Sequence, residues 1–174
     1  MRKLSAVSLA MPAVLMAALG ATPAAAEPRS LGTFKDWQAF VMDDGKGVTC
    51  YMASKPKKST GDAGKRGDSY VLITHRPAEG SFDVVSFTAG YSYAPRSEAV
   101  VEIGQQSFKL FTERDAAWAR EEATDKALVQ AIRGAASLVL RGTSSRGART
   151  VDTYSLAGSS AAYQAISKAC GLNR

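Results

Sequence analysis

Residues 69–90 read SYVLITHRPAEGSFDVVSFTAG. Two runs rich in β-branched and aromatic side chains, 69–75 and 82–90, flank a break that contains Pro77 and Gly80. Short runs of this composition, bounded by turn formers, read as antiparallel strands. In the first run Tyr70, Leu72 and Thr74 point to one face and Val71, Ile73 and His75 to the other. Both faces are largely apolar near the middle, so this strand belongs at the centre of a sheet.

Outward from this pair the same signal recurs at 34–41 and 48–53 on one side, and at 99–103, 107–111 and 116–119 on the other. Gly104-Gln105-Gln106 reads as the turn of a hairpin, although Gly-Gln forms a turn less readily than Asn-Gly. Residues 136–141 and 150–156 are again strand-like and flank the polar, glycine-bounded stretch 142–147. Helical periodicity interrupts the series twice. Thr124 stands where it would cap a helix over 125–133, whose apolar face is Ala127, Leu128, Ala131 and Ile132 and which Gly134 stops. A second helix spans 160–170, with Ala162, Tyr163, Ile166, Ala169 and Cys170 inward and Gly171 at its end. The fold class expected is mostly β: an antiparallel sandwich with two short helices.

The start of the chain has a different character. Arg2 and Lys3 precede an apolar, Ala-rich run, and Ala24-Ala25-Ala26 fits a small-residue cleavage site. Residues 1–26 are expected to be a secretory signal peptide, leaving 27–174 as one β-rich domain. A retained anchor is the alternative, against which stand Pro12 and Pro23 in and after a run made largely of Ala. The domain of about 150 residues is long enough for a genuine core. No later stretch is apolar enough to span a membrane. The expected destination is the periplasm, with outer-membrane association or secretion as variants of it. The formal charge of +6 includes two cations of the leader, and the remainder is within what a soluble surface carries.

Cys50 and Cys170 are the only cysteines and His75 the only histidine. In an oxidising compartment the two thiols read as one disulfide. It would close about 120 residues and add roughly 4–5 kcal/mol in the chain-entropy model. These residues are too few for a metal site, no C-x-x-C redox pair exists, and no cofactor is expected.

The strongest charged cluster is KPKKSTGDAGKRGD at 55–68, expected to be a mobile basic loop carrying Lys55, Lys57, Lys58, Lys65 and Arg66. Arg141, Arg146 and Arg149 lie in the glycine-bounded RGTSSRGART. Each set is a candidate grip for an anion or an acidic partner; solvation of a loop, and a hairpin whose arginines pair with Asp152 or Glu side chains, are the plainer readings. The second stretch lacks the Gly-Lys-Ser/Thr ending of a nucleotide phosphate loop. Nucleic acid is not expected, since the basic loop has no interleaved aromatics and the protein is exported.

Tyr91 and Tyr93 in GYSYAP are expected to be partly exposed and are the candidate protein contacts. His75 with Ser69, Ser81 or Ser86 and with Asp83 is the only set from which a hydrolase could be assembled, and no G-x-S-x-G elbow accompanies it. Glu121 and Glu122 form no acid/base pair, and DDGKG at 43–47 is too short a ladder of oxygens for calcium.

Four stretches together carry a family likeness: CYMASKPKK at 50–58, RGDSYVLITHRPAEGSFDVVSFTAGY at 66–91, FTERDAAWARE at 111–121, and RGTSSRGARTVDTYSLAGSSAAYQAISKAC at 141–170. They resemble the invasion-associated locus B family of exported alphaproteobacterial proteins. The family's marks are a Trp after the leader, here Trp37, a strand Cys, here Cys50, and a Gly-Thr-Ser turn before a Tyr-Ser-Leu strand and a helix ending in Cys. The last set corresponds to Gly142-Thr143-Ser144, Tyr154-Ser155-Leu156 and Cys170. Ser159 departs from the family's usual aromatic before the helix.

The resemblance implies a β-rich sandwich in the periplasm or at the outer membrane. It also implies, from one branch of the family, a link to host-cell entry, and it transfers no catalytic residue. The function expected is a non-catalytic binding module for an envelope or host protein, or for an anionic surface. A small hydrolase using His75, or a structural or stress-related envelope protein, are the alternatives. The sequence does not specify an oligomeric state.

Overall fold

The computed structural model describes residues 27–172, so the expected leader lies outside the described residues. The chain forms β1 (Arg29–Phe34), β2 (Trp37–Asp43), β3 (Val48–Ser54), β4 (Lys58–Thr60), β5 (Tyr70–Arg76) and β6 (Ser81–Thr88). It continues with β7 (Glu98–Ile103), β8 (Gln106–Glu113), β9 (Ala116–Trp118), α1 (Glu122–Gly134), β10 (Ser137–Thr143), β11 (Arg149–Ser155) and α2 (Ser159–Ala169). All strands join one antiparallel sheet in the order β1-β2-β3-β5-β6-β9-β8-β7-β10-β11-β4. The sheet folds over on itself in a sandwich-like form, and its two ends meet. The Asp36 amide donates to the Ala157 carbonyl at 3.2 Å, and the Trp37 indole N–H donates to the Ser155 carbonyl at 3.2 Å.

Alternation decides which face is inside. Trp37, Met52, Ile73, Phe87, Leu110, Leu140 and Tyr154 come from seven strands and are sealed from solvent, and Leu128, Ile132, Ala162 and Ile166 of the helices complete the same core. Each large apolar side chain so buried contributes about 1.5–3 kcal/mol of transfer free energy. β5 lies between β3 and β6, as its two-faced pattern predicts, with Val71, Ile73 and His75 inward. Its other face is only half-buried at Tyr70 and Leu72. Among the described residues no helix is long and apolar enough to cross a membrane.

Cys50 on β3 and Cys170 at the end of α2 form the expected disulfide, with an S–S distance of 2.07 Å and Cα atoms 6.0 Å apart. The register places Cys50 opposite His75, so the bond ties the helix to the centre of the sheet.

The structure corrects three local expectations. Residues 34–41 are not one strand, because Lys35 takes a positive φ of 53° and the chain reverses between β1 and β2. The first helix begins three residues early: Glu121 occupies the N-cap position and Thr124 lies in the first turn. The basic segment 55–68 is not structureless, since Lys58–Thr60 pairs with Val151–Thr153 of β11. Two connections are tight enough to dictate residue type. Gly158, at φ 94°, receives the Phe34 carbonyl where any Cβ would stand. Ser159 donates its hydroxyl to the Ile132 carbonyl at 2.9 Å and links α2 to α1.

Candidate functional site

The pairing of β4 with β11 determines what the basic residues can do. Two segments read separately in the sequence, 55–68 and 141–149, become neighbours at the last edge of the sheet. Arg146 of the β10–β11 hairpin lies against Gly64, and the Arg149 backbone abuts Gly61. Lys58 and Lys65 from the first segment, with Arg146 and Arg149 from the second, are exposed. Among the described residues these four make no ion pair. Asp62, one of the two carboxylates of 55–68, accepts the Gly64 amide on its Oδ1 at 3.1 Å.

The other candidate cations are engaged. Lys55 donates to Asp68 at 3.1 Å and covers the Tyr70 ring, which holds the Asp68 carboxyl below its ordinary range. Lys57 lies 2.5 Å from Asp36, and their hydrogen bond lowers the Asp36 pKa. Arg141 contacts both carboxylate oxygens of Glu102 through Nε, at 3.0 and 3.1 Å. Lys55 and Lys57 line an open cleft of about 450 Å³ together with Lys35. Lys35 was not among the sequence candidates; its signal was the Lys-Asp turn that the continuous-strand reading of 34–41 concealed. Arg141 and Arg149 line a second cleft of about 290 Å³ over Val100 and Val151.

Arg66 is a pin and not a free cation. Its guanidinium forks onto Asp152, with Nη1 to Oδ1 at 2.8 Å and Nη2 to Oδ2. Nε donates to the Ala89 carbonyl at 2.7 Å, and Nη2 also reaches Ser69 Oγ at 3.2 Å. The ring of Tyr91 lies 5.1 Å below it. Burial works against the charge, and the Asp152 fork outweighs it, leaving the Arg66 pKa raised. Asp152 therefore serves Arg66, not the hairpin arginines.

Tyr91 and Tyr93 are buried, contrary to the expected exposure: 7 % and 5 % of their surface is accessible. The β10–β11 hairpin folds over them, with the Ser145 amide on the Ser92 carbonyl at 2.8 Å and a bridge between Tyr93 and Ser144. Tyr91 exchanges a 2.5 Å hydrogen bond with Thr150. Gly142 is required beneath them, since a Cβ there would come within 2.6 Å of the Tyr91 hydroxyl and 2.7 Å of the Tyr93 ring. The pair supports the basic edge from below and offers no contact surface of its own.

His75 is fully enclosed. β6 carries one extra residue here, Asp83 at φ 61°, and the bulge directs the Asp83 amide away from the ladder onto His75 Nδ1 at 3.1 Å. An Nδ1 that accepts a hydrogen bond bears no proton, so in the neutral ring the proton is on Nε2. Nε2 faces Ser167 Oγ at 3.5 Å, in α2, and not any of the three serines considered from sequence. Ser, His and Asp thus meet, but with the imidazole in the tautomer that cannot accept the serine proton, and with Ser167 and Asp83 buried as well. Asp83 Oδ1 instead accepts the Tyr163 hydroxyl at 2.6 Å.

The family model described as invasion associated locus B (IalB) protein matches residues 37–167. No curated protein and no solved structure matches the chain.

Proposed function

The chain belongs to the invasion associated locus B family, and on that premise we propose that it is an exported, non-catalytic module that binds an anionic component of the cell envelope. Residues 1–26 act as the leader, and the folded domain works in the periplasm or at the envelope surface. One observation carries the binding reading: β4 gathers Lys58, Lys65, Arg146 and Arg149 onto a single sheet edge, and the Arg66–Asp152 fork fixes the loop that presents two of them. An exposed cluster of one sign attracts an oppositely charged partner over about a Debye length, roughly 8–10 Å. The His75 arrangement does not support the hydrolase alternative, because it is sealed and holds the unsuitable tautomer.

The test is co-sedimentation of the disulfide-intact domain with the producer's envelope fraction. The variant Lys58→Gln/Lys65→Gln/Arg146→Gln/Arg149→Gln should lose most of the bound fraction while keeping its melting temperature. Equal binding by variant and parent would assign these cations to solubility alone and favour a structural role for the protein.

A further inference from the structure

The solvent face of β8 and β9 lies away from that edge and carries a different chemistry. Leu110 and Ala117 point into the core, so their neighbours Phe111 and Trp118 point outward, directly opposite each other in the ladder. Their ring centroids are 5.6 Å apart with planes inclined by 30°, and both rings are partly exposed. The row continues in register through Ser86 to Leu72, giving a shallow strip across four strands. At its end Arg120 lays its guanidinium over Phe111, 5.2 Å from the centroid. Arg96 faces the same hollow, of about 600 Å³, with Ser97, Glu98 and Thr112. Among the described residues neither arginine makes an ion pair, whereas Glu98 is within 3.7 Å of Lys109.

We propose that this hollow binds a carboxylated sugar unit of an acidic glycan, with Arg96 and Arg120 holding the carboxylate and Phe111, backed by Trp118, forming the apolar wall against the C–H side of the ring. A guanidinium stacked on an aromatic face keeps its N–H fork directed outward in the plane that a carboxylate requires. Arg96 and Arg120 supply the charge complementarity, since Glu98, the carboxylate that lines the hollow with them, is within 3.7 Å of Lys109. A peptide is a poorer fit. At the aromatic pair itself the ladder is complete on both sides, Phe111 lying between Glu98 and Trp118 and Trp118 between Phe111 and Ser86, so no backbone groups remain there for strand addition.

Trp37 is fully buried and Trp118 is not, so intrinsic fluorescence reports on this site. The full domain is titrated with a uronic-acid trisaccharide, with the same trisaccharide after its carboxylates are reduced to alcohols, with a muropeptide-free cell-wall disaccharide bearing a lactyl carboxylate, and with an acidic peptide of equal charge. Saturable binding of either acidic sugar supports the proposal, and which of the two binds identifies the source of the carboxylate. Arg96→Gln/Arg120→Gln should weaken that binding at least tenfold, and Arg120→Lys, which keeps the charge but loses the fork, should weaken it severalfold. The basic-edge quadruple variant should bind as the parent does, so failure of one site does not imply failure of the other. Equal binding of the neutral trisaccharide, equal binding of the peptide, insensitivity to both arginine variants, or no binding of any acidic sugar at millimolar concentration would overturn the proposal.

Discussion

Replacing Arg66 by Met should destabilise the domain far more than replacing any exposed cation. Asp152 is 1 % exposed, and in the wild type both of its carboxylate oxygens are held by the Arg66 fork. Arg66→Met leaves that charge buried without its partner and strips the Ala89 carbonyl of a donor. Breaking one side of a buried pair costs about 3–5 kcal/mol. For a domain of this size that is roughly 10–15 °C in Tm. The second half of the prediction is asymmetric: Arg66→Met/Asp152→Leu should recover most of the loss, because an apolar pair of similar volume is near neutral in place of a buried ion pair. Urea unfolding of the four members of the cycle, with slopes compared to verify two-state behaviour, measures both quantities. Trypsin adds a local readout, since cleavage after Lys57, Lys58 and Lys65 should accelerate in the single variant. A cost below about 1 kcal/mol for Arg66→Met, or strictly additive losses in the double variant, would refute the pin.

Three further outcomes follow from the same geometry. Thiol titration of the purified domain without reductant should find none, and Cys50→Ala/Cys170→Ala should cost about 2–5 kcal/mol; two accessible thiols would contradict the bond. Gly142→Ala should cost about 1–3 kcal/mol by thermal melt, because the added methyl meets the paired tyrosine rings. Burial raises the Asp125 pKa above its ordinary 3.8, partly opposed by the Val85 amide that its carboxylate accepts. The folded state then binds the proton more tightly than the unfolded chain, so this group costs stability as pH rises through the raised pKa. Asp125→Asn, which keeps the acceptor, should melt higher than the parent at pH 7 and equal to it below pH 3.8; a gain persisting in acid would contradict the assignment.

The elements with strong local signals were legible in the chain. Alternation at 69–75 predicted a central strand, and the apolar stripe of 160–170 with Gly171 behind it predicted α2 and brought Cys170 to the sheet. What escaped depends on partners distant in sequence. β4 is Lys-Ser-Thr, with no apolar periodicity, and becomes a strand only because β11 offers an unpaired edge. The reversal at Lys35-Asp36 contains neither Gly nor Pro and is set by contact with Ala157. Arg66 looked like one basic loop residue among five until Asp152, 86 positions away, came within reach. Tyr91 and Tyr93 followed Gly and preceded Pro, a pattern of exposed turns, yet the 142–147 hairpin covers them. Charge content was therefore readable from the residues, whereas which charges remain available was decided by tertiary pairing.

The central claim is that cations gathered at the β4–β11 edge bind an anionic envelope component, and its most direct test is the salt dependence of that binding. Affinity of the disulfide-intact domain for isolated envelopes should fall steeply as ionic strength rises from low salt to 0.5 M, a range over which the Debye length shrinks to roughly 4 Å. Lys58→Gln/Lys65→Gln/Arg146→Gln/Arg149→Gln should bind weakly with a flat salt response. A quadruple variant that binds as tightly as the parent, with the same salt slope, would contradict the account.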